Sequence, residues 1–143
     1  MKSRLVVGLL AVAFVGWIIY LAWLTRLPKP EILSRAQVMV AEVVIRAKLT
    51  ANEDGKPMAQ IVVEQTFPIV PAEVPANGDS VSIANLSQSQ GFQGPGEYAL
   101  TLTREDGNYR IANAPEAIKS NGPRIYPWTP SIERQVHTLI PAR

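Results

Sequence analysis

Residues Leu5 to Leu24 read LVVGLLAVAFVGWIIYLAWL, twenty positions without a charged side chain. No other stretch constrains the fold as strongly. At about 1.5 Å per residue such a run makes a helix of about 30 Å, the thickness of a bilayer's hydrocarbon core. A helix is also the only open-chain structure that satisfies its own backbone in lipid. Trp17, Tyr20 and Trp23 fall in the second half of the run at threefold spacing. Their rings are apolar at one end and polar at the other, so they mark the C-terminal end of the helix as a water–hydrocarbon boundary. A cleaved signal peptide has a shorter apolar core and a small-x-small cleavage site. Here the run is longer, and Tyr20-Leu21-Ala22 places a bulky ring where a small residue is required. A buried core helix would carry a polar stripe, which this run lacks. The sequence therefore predicts an uncleaved, single-pass anchor.

Orientation follows from translocation rather than from charge. Lys2 and Arg4 precede the run, while Arg26, Lys29 and Arg35 follow it, so cations flank both ends. Long domains cross largely regardless of their charge. The expected topology is a cytoplasmic N-terminus with the C-terminal domain outside the cytoplasm, periplasmic in a bacterium.

Composition narrows what the rest can be. The 119 residues after Leu24 suffice for one domain with its own core. Of the 14 Lys and Arg, two precede the run, leaving 12 to balance 12 Asp and Glu. A neutral domain has no general attraction for nucleic acid, whose binding depends on neutralising phosphates, so no nucleic-acid partner is expected. The chain has no cysteine, which excludes disulfides, zinc-thiolate sites and thiol nucleophiles.

The expected organisation is a cytoplasmic tail and anchor over 1–24, a stalk over 25–35 stiffened by Pro28 and Pro30, and a β domain over 36–143. One helical turn is expected near Glu31–Arg35. The Val- and Ile-rich stretch Ala36–Leu49 reads as a long strand. Ala59–Phe67 reads as a second strand, with Ile61, Val63 and Phe67 on its inner face. Val81 and Ile83 carry a short third. Glu97–Arg104 alternates Tyr98, Leu100 and Leu102 against Ala99, Thr101 and Thr103, and Glu105-Asp106-Gly107-Asn108 turns it into Tyr109-Arg110-Ile111, a hairpin signature. Thr129-Pro130 supplies an N-cap and a first helical position. Ile132, Val136, Leu139 and Ile140 then form an apolar helical stripe. The fold class predicted is mainly β: a five-stranded, OB-like antiparallel barrel with a C-terminal helix, preceded by the transmembrane helix.

The stretches Ala36–Val43, Ile61–Glu64, Phe92 through Gly96–Leu100, and Asp106–Tyr109 resemble the netrin-like module shared with tissue inhibitors of metalloproteases, over about half the chain. The resemblance implies an OB-type barrel. That family uses disulfides and, in the inhibitors, an N-terminal cysteine that ligates the target's metal. With no cysteine here, the resemblance carries over the barrel and not protease inhibition.

Catalytic patterns are scarce. His137, the one histidine, has Glu133 a turn earlier, a pairing typical of a solvated helix face. No nucleophile elbow, phosphate-binding loop, dinucleotide fingerprint or HExxH pattern occurs. Glu53 and Asp54 read as a solvated turn, not a calcium loop. Asn85-Leu86-Ser87 is a glycosylation sequon in form only. No cofactor and no metal are expected. Ser87–Gly96 reads as a flexible polar connector, with Phe92 tucked over the barrel or touching a partner. The aromatic–proline segment Ile125–Pro130 closes the barrel end, or offers Tyr126 and Trp128 as partner contacts. These features predict a non-enzymatic binding or scaffolding module at the membrane surface, its partner another protein. The alternatives are an accessory subunit of a larger membrane complex and an envelope hydrolase using Glu42, Glu64 or Glu97.

Overall fold

The first element, α1 (Lys2–Thr25), is one uninterrupted helix of 24 residues. Its stretch Val6–Thr25 is long and apolar enough to cross a membrane, and none of it is buried by other parts of the chain. Trp17, Tyr20, Trp23 and Leu24 are all exposed, at 59%, 51%, 61% and 41%. The ring centroids of Trp17 and Tyr20 lie 6.2 Å apart, and the backbone at Leu5 belongs to the same helix. The computed structural model describes residues 2–25, 31–114 and 122–140. The chain falls into two compact units, Met1–Pro30 and Glu31–Arg143. Of the segment read as stalk, residues 26–30 lie outside the described ones, whereas Leu33 is 2% exposed within a core of the second unit.

The second unit is a mostly antiparallel sheet with short helices on one face. Its elements are α2 (Arg35–Val40), β1 (Val43–Leu49), β2 (Gln60–Pro68), β3 (Ser80–Ser82), β4 (Gly96–Glu105), β5 (Asn108–Ile111), β6 (Tyr126–Pro127) and α3 (Pro130–Leu139). Strand order is β3-β2-β1-β4-β5, and β6 pairs with β4. The sheet is not closed by a ladder. Its two ends meet at one parallel bridge, Ile83 to Tyr109, beside which the Ala84 N–H donates to the Tyr109 carbonyl at 3.1 Å.

The β4–β5 hairpin forms as its sequence predicts. Asp106 (φ 51°) and Gly107 (φ 81°) occupy the two left-handed positions of a two-residue turn, the geometry that matches strand twist. Likewise, Thr129 caps α3, its hydroxyl accepting from the Ile132 N–H, with Pro130 in the first turn.

Two expectations are corrected. The long strand from Ala36 is instead a helix followed by a shorter strand. Ser34 caps α2, its hydroxyl accepting from the Gln37 N–H at 3.4 Å; Ala, Gln and Met sustain a helix at least as well as a strand, and the turn buries Gln37 and Val38. The second correction concerns Phe67. A bulge in the β1–β2 register between Arg46 and Ala47 places an extra residue in β2, since Ala47 pairs with Val63 while Arg46 pairs with Gln65. One extra residue exchanges the faces of everything beyond it. Ile61 and Val63 therefore enter one core and Phe67 the other.

Those two cores lie on opposite faces of the sheet. The inner core gathers Val43, Ile45, Ala47 and Leu49 of β1 with Tyr98, Leu100 and Leu102 of β4, Ile83, Leu86, Ile111 and Ile125. The outer core packs Val44, Phe67 and Ala99 beneath Leu33, Val38, Tyr126 and the α3 residues Ile132, Val136 and Ile140. β4 is consequently buried on both faces from Tyr98 to Leu102. Ile132 and Val136 are fully buried, each stabilising the docked helix by about 1.5–3 kcal/mol.

Candidate functional site

The outer face of the sheet carries a connected row of side chains beside α3. Arg46 of β1 projects between β2 and β4. Its Nε donates to Glu97 at 2.9 Å and lies 3.2 Å from Glu64 Oε2, and its Nη2 also contacts Glu97. The guanidinium stacks over the Trp128 ring, 5.3 Å from the centroid. Trp128 stacks in turn on Phe67, with centroids 6.0 Å apart and planes within 18°. The His137 ring meets Phe67 edge-on at 5.4 Å.

Backbone pairing holds this row in place. β6 pairs Tyr126 with Ala99 and Pro127 with Tyr98, and the Trp128 N–H donates to the Glu97 carbonyl at 2.8 Å. The indole is thereby fixed over β4, partly buried against the outer core. Beyond Phe67 a groove of about 590 Å³ opens, lined by Phe67, Pro68, Ile69, Val70, His137 and Leu139 among others. Its proline-rich wall is tied to the start of β1, because the Glu42 carbonyl accepts from the Ile69 and Val70 N–H groups at 2.9 and 3.2 Å.

Glu64 and Glu97 share the Arg46 guanidinium. Glu42 lies four positions before Arg46, one residue ahead of β1. Among the described residues no group of three or more His, Cys, Asp or Glu gathers as a metal site. What the surface offers is flat aromatic area, a partly covered cation and an apolar groove, the ingredients of interface hot spots.

The three aromatics singled out from sequence go to different places. Trp128 belongs to the row just described. Phe92 packs on Tyr98 at a centroid distance of 5.5 Å, against the inner core. Tyr126 is buried at 2% exposure. Its hydroxyl donates to Gln37 Oε1 at 2.7 Å and accepts from the Ser34 N–H at 3.1 Å. Gln37 Nε2 completes the set by donating to the carbonyls of Ala112 (2.8 Å) and Arg124 (3.2 Å). Burial pushes the Tyr126 hydroxyl above its ordinary value of 10.0, against the opposing pull of the Ser34 backbone and Arg124. This pair binds α2 to β6 and is structural.

The polar loop is not a loose connector. The Gln90 N–H donates to the Pro123 carbonyl at 2.8 Å, and the Ile125 N–H donates to the Gln90 carbonyl at 2.9 Å. Tyr98 reinforces the loop, its hydroxyl donating to the Gly94 carbonyl at 2.8 Å and accepting from the Gln93 N–H at 3.0 Å. Asn85 of the sequon is likewise engaged internally: its side chain accepts from the Ile111 N–H at 2.7 Å and donates to the Ile111 carbonyl at 3.2 Å. Glu53 and Asp54 are exposed in a turn whose Asn52 Oδ1 accepts from the Lys56 N–H at 2.8 Å.

No protein-family model, curated protein or solved structure matches the chain.

Proposed function

We propose that the protein is a membrane-anchored, non-enzymatic binding module. In this reading α1 crosses the bilayer with its N-terminus in the cytoplasm, and the β unit lies on the extracytoplasmic side. The β unit is read as an OB-type barrel, like the one the netrin-like resemblance implies. Supporting that, β1 is flanked by β2 and β4, and β3 meets β5 in parallel at Ile83–Tyr109, the connectivity a five-stranded barrel of this type requires. The partner is another protein, held at the Trp128–Phe67 surface and its groove.

The observation that carries this reading is the partly exposed Arg46–Trp128 pair, stacked on the buried Phe67 ring beside an open apolar groove. A partly exposed indole carrying a guanidinium beside an apolar groove is characteristic of contact surfaces.

A photo-crosslinking amino acid placed at Val70, which lines the groove and is 39% exposed, tests it in native membranes. The same probe at Val62, 50% exposed on β2 and not among the residues lining the groove, is the control. A discrete adduct from position 70 and not from 62, reduced by Trp128→Ala, is the expected outcome. No adduct from 70, or identical adducts from both positions, refutes it.

A further inference from the structure

A second groove, of about 540 Å³, lies between the start of the β unit and α3; Ile32, Leu33, Arg35, Arg134, Gln135 and Leu139 are among its lining residues. Its chemistry differs from that of the first groove. The described residues lining it carry two guanidiniums and no carboxylate. Two acids adjoin the lining residues in sequence: Glu133, half-buried on α3 beside Arg134, and Glu31, whose Oε1 accepts from Gln93 Nε2 at 3.4 Å and whose Oε2 is buried. Beside the arginines stand the two most exposed large apolar side chains among the described residues of the unit, Ile32 at 74% and Met39 at 85%. Arg35 and Met39 are one turn apart on α2, so cation and thioether share a face.

Exposed apolar side chains interleaved with guanidiniums suit a phospholipid interface: the apolar groups enter the headgroup–acyl boundary and the cations meet phosphates. Covalent reach supplies the occupant. Six residues separate Thr25, the last of α1, from Ile32. At about 3.5 Å per residue they span at most about 25 Å, and Arg26 and Lys29 among them add cations to the same stretch. We infer that the surface formed by Ile32, Arg35, Met39 and Arg134 seats on the bilayer, with Ile32 and Met39 in the interface and the two arginines on lipid phosphates. The inference rests on α1 being a membrane anchor, and its test separates the two.

The absence of native cysteine allows single nitroxide labels in the full chain, reconstituted in nanodiscs of phosphatidylcholine and phosphatidylglycerol. Labels go at Val12→Cys in the anchor, at Ile32→Cys and Met39→Cys on the surface, and at Met58→Cys as the aqueous control. Met58 is 46% exposed, and its N–H donates to Thr50 just beyond β1, a strand's length from α2. Accessibility to a water-soluble nickel chelate should be several-fold lower at 32 and 39 than at 58, with accessibility to oxygen correspondingly higher. Arg35→Gln with Arg134→Gln should return position 39 toward the value at 58 while leaving the circular dichroism unchanged. If Val12 is in lipid but 32 and 39 match 58, the docking surface is refuted, the anchor stands, and the face is left to a protein. If Val12 itself is in water, both fail. Shielding that persists undiminished in the double glutamine variant overturns the contact with phosphates.

Discussion

Gly91→Ala isolates the pairing that turns the polar loop into part of the fold. Gly91 has φ 94°, and a Cβ placed there would sit 2.3 Å from the Ile125 carbonyl oxygen. Forcing an L-residue into positive φ costs about 1–2 kcal/mol. Contact at 2.3 Å must open by about 1 Å to reach van der Waals separation, and both partners are backbone. That movement breaks the two hydrogen bonds between Gln90 and the 123–125 segment, at 2.8 and 2.9 Å, each worth about 1 kcal/mol net. It also disturbs Ile125, which is fully buried in the inner core. The expected loss is about 3–5 kcal/mol. Gly55→Ala is the matched control: φ is 72° and nothing lies within 4 Å of the added carbon, so only the conformational cost of about 1–2 kcal/mol applies. Trp17→Phe and Trp23→Phe leave Trp128 as the one tryptophan, and its stacking on Phe67 makes its fluorescence a reporter of the β unit. In thermal unfolding of the full chain in micelles, at about 4 °C per kcal/mol, Gly91→Ala should lower the midpoint by about 12–20 °C and Gly55→Ala by about 4–8 °C. Equal losses in the two variants would refute the argument, since they would mean that no backbone approach exists at Gly91.

Two further outcomes are expected. Thr101 is fully buried in β4, and its Oγ1 has no hydrogen-bond partner among the described residues; Thr101→Val removes an unsatisfied hydroxyl at constant shape and should raise stability by about 1–2 kcal/mol in the same assay, whereas a loss of that size would reveal an unseen partner. The raised Tyr126 hydroxyl sets an alkaline limit: below pH 10.0 both folded and unfolded states keep the proton, but above it the unfolded phenol ionises first, so stability falls as pH rises. Unfolding midpoints measured across that range should lose this component of their slope in Tyr126→Phe, which at neutral pH is itself less stable by about 1–3 kcal/mol because Gln37 Oε1 and the Ser34 N–H lose their partner; an unchanged slope would assign the alkaline loss elsewhere.

Elements whose side chains carry their own pattern were legible in the sequence. The Asp-Gly hairpin, the Thr-Pro start of α3 and its apolar stripe follow from local chemistry, and the structure has them. Alternation in β4 correctly sorted Tyr98, Leu100 and Leu102 from Ala99 and Thr101. It could not reveal that the second face is also covered, because Ala and Thr suit a solvated face and a close-packed one equally. α2 was hidden for a related reason: Val38 and Val40 favour a strand locally, and the helix is stabilised by burying Gln37 against Ala112, Arg124 and Tyr126, contacts that span at least 75 positions.

The candidate site shows the sharper limit. Trp128 was singled out for being large and apolar, and that property predicts buried area, not location. The same reasoning grouped it with Phe92 and Tyr126, yet the fold sends one to the rim of the inner core, one into a buried hydrogen-bonded pair and one to the surface. What separates them is backbone register. The bulge in β2 sends Phe67 to the outer face, where it meets Trp128; were the same sequence paired in unbroken alternation, Phe67 would join Ile61 and Val63 inside, and the indole would lose its stacking partner and the groove its wall. The surface proposed for binding therefore depends on a bulge opposite Arg46 and Ala47 that leaves no mark in composition or periodicity. Deleting Glu64, within the two-for-one step, should restore regular alternation while leaving Phe67 opposite Val44 on the outer face, so the Trp128–Phe67 contact should survive the deletion. Trp128 quenching by a probe bound in the groove should persist in the deletion variant; its loss, with the Asp106–Gly107 hairpin still protected from hydrogen exchange, would refute this account of the register rather than report global unfolding.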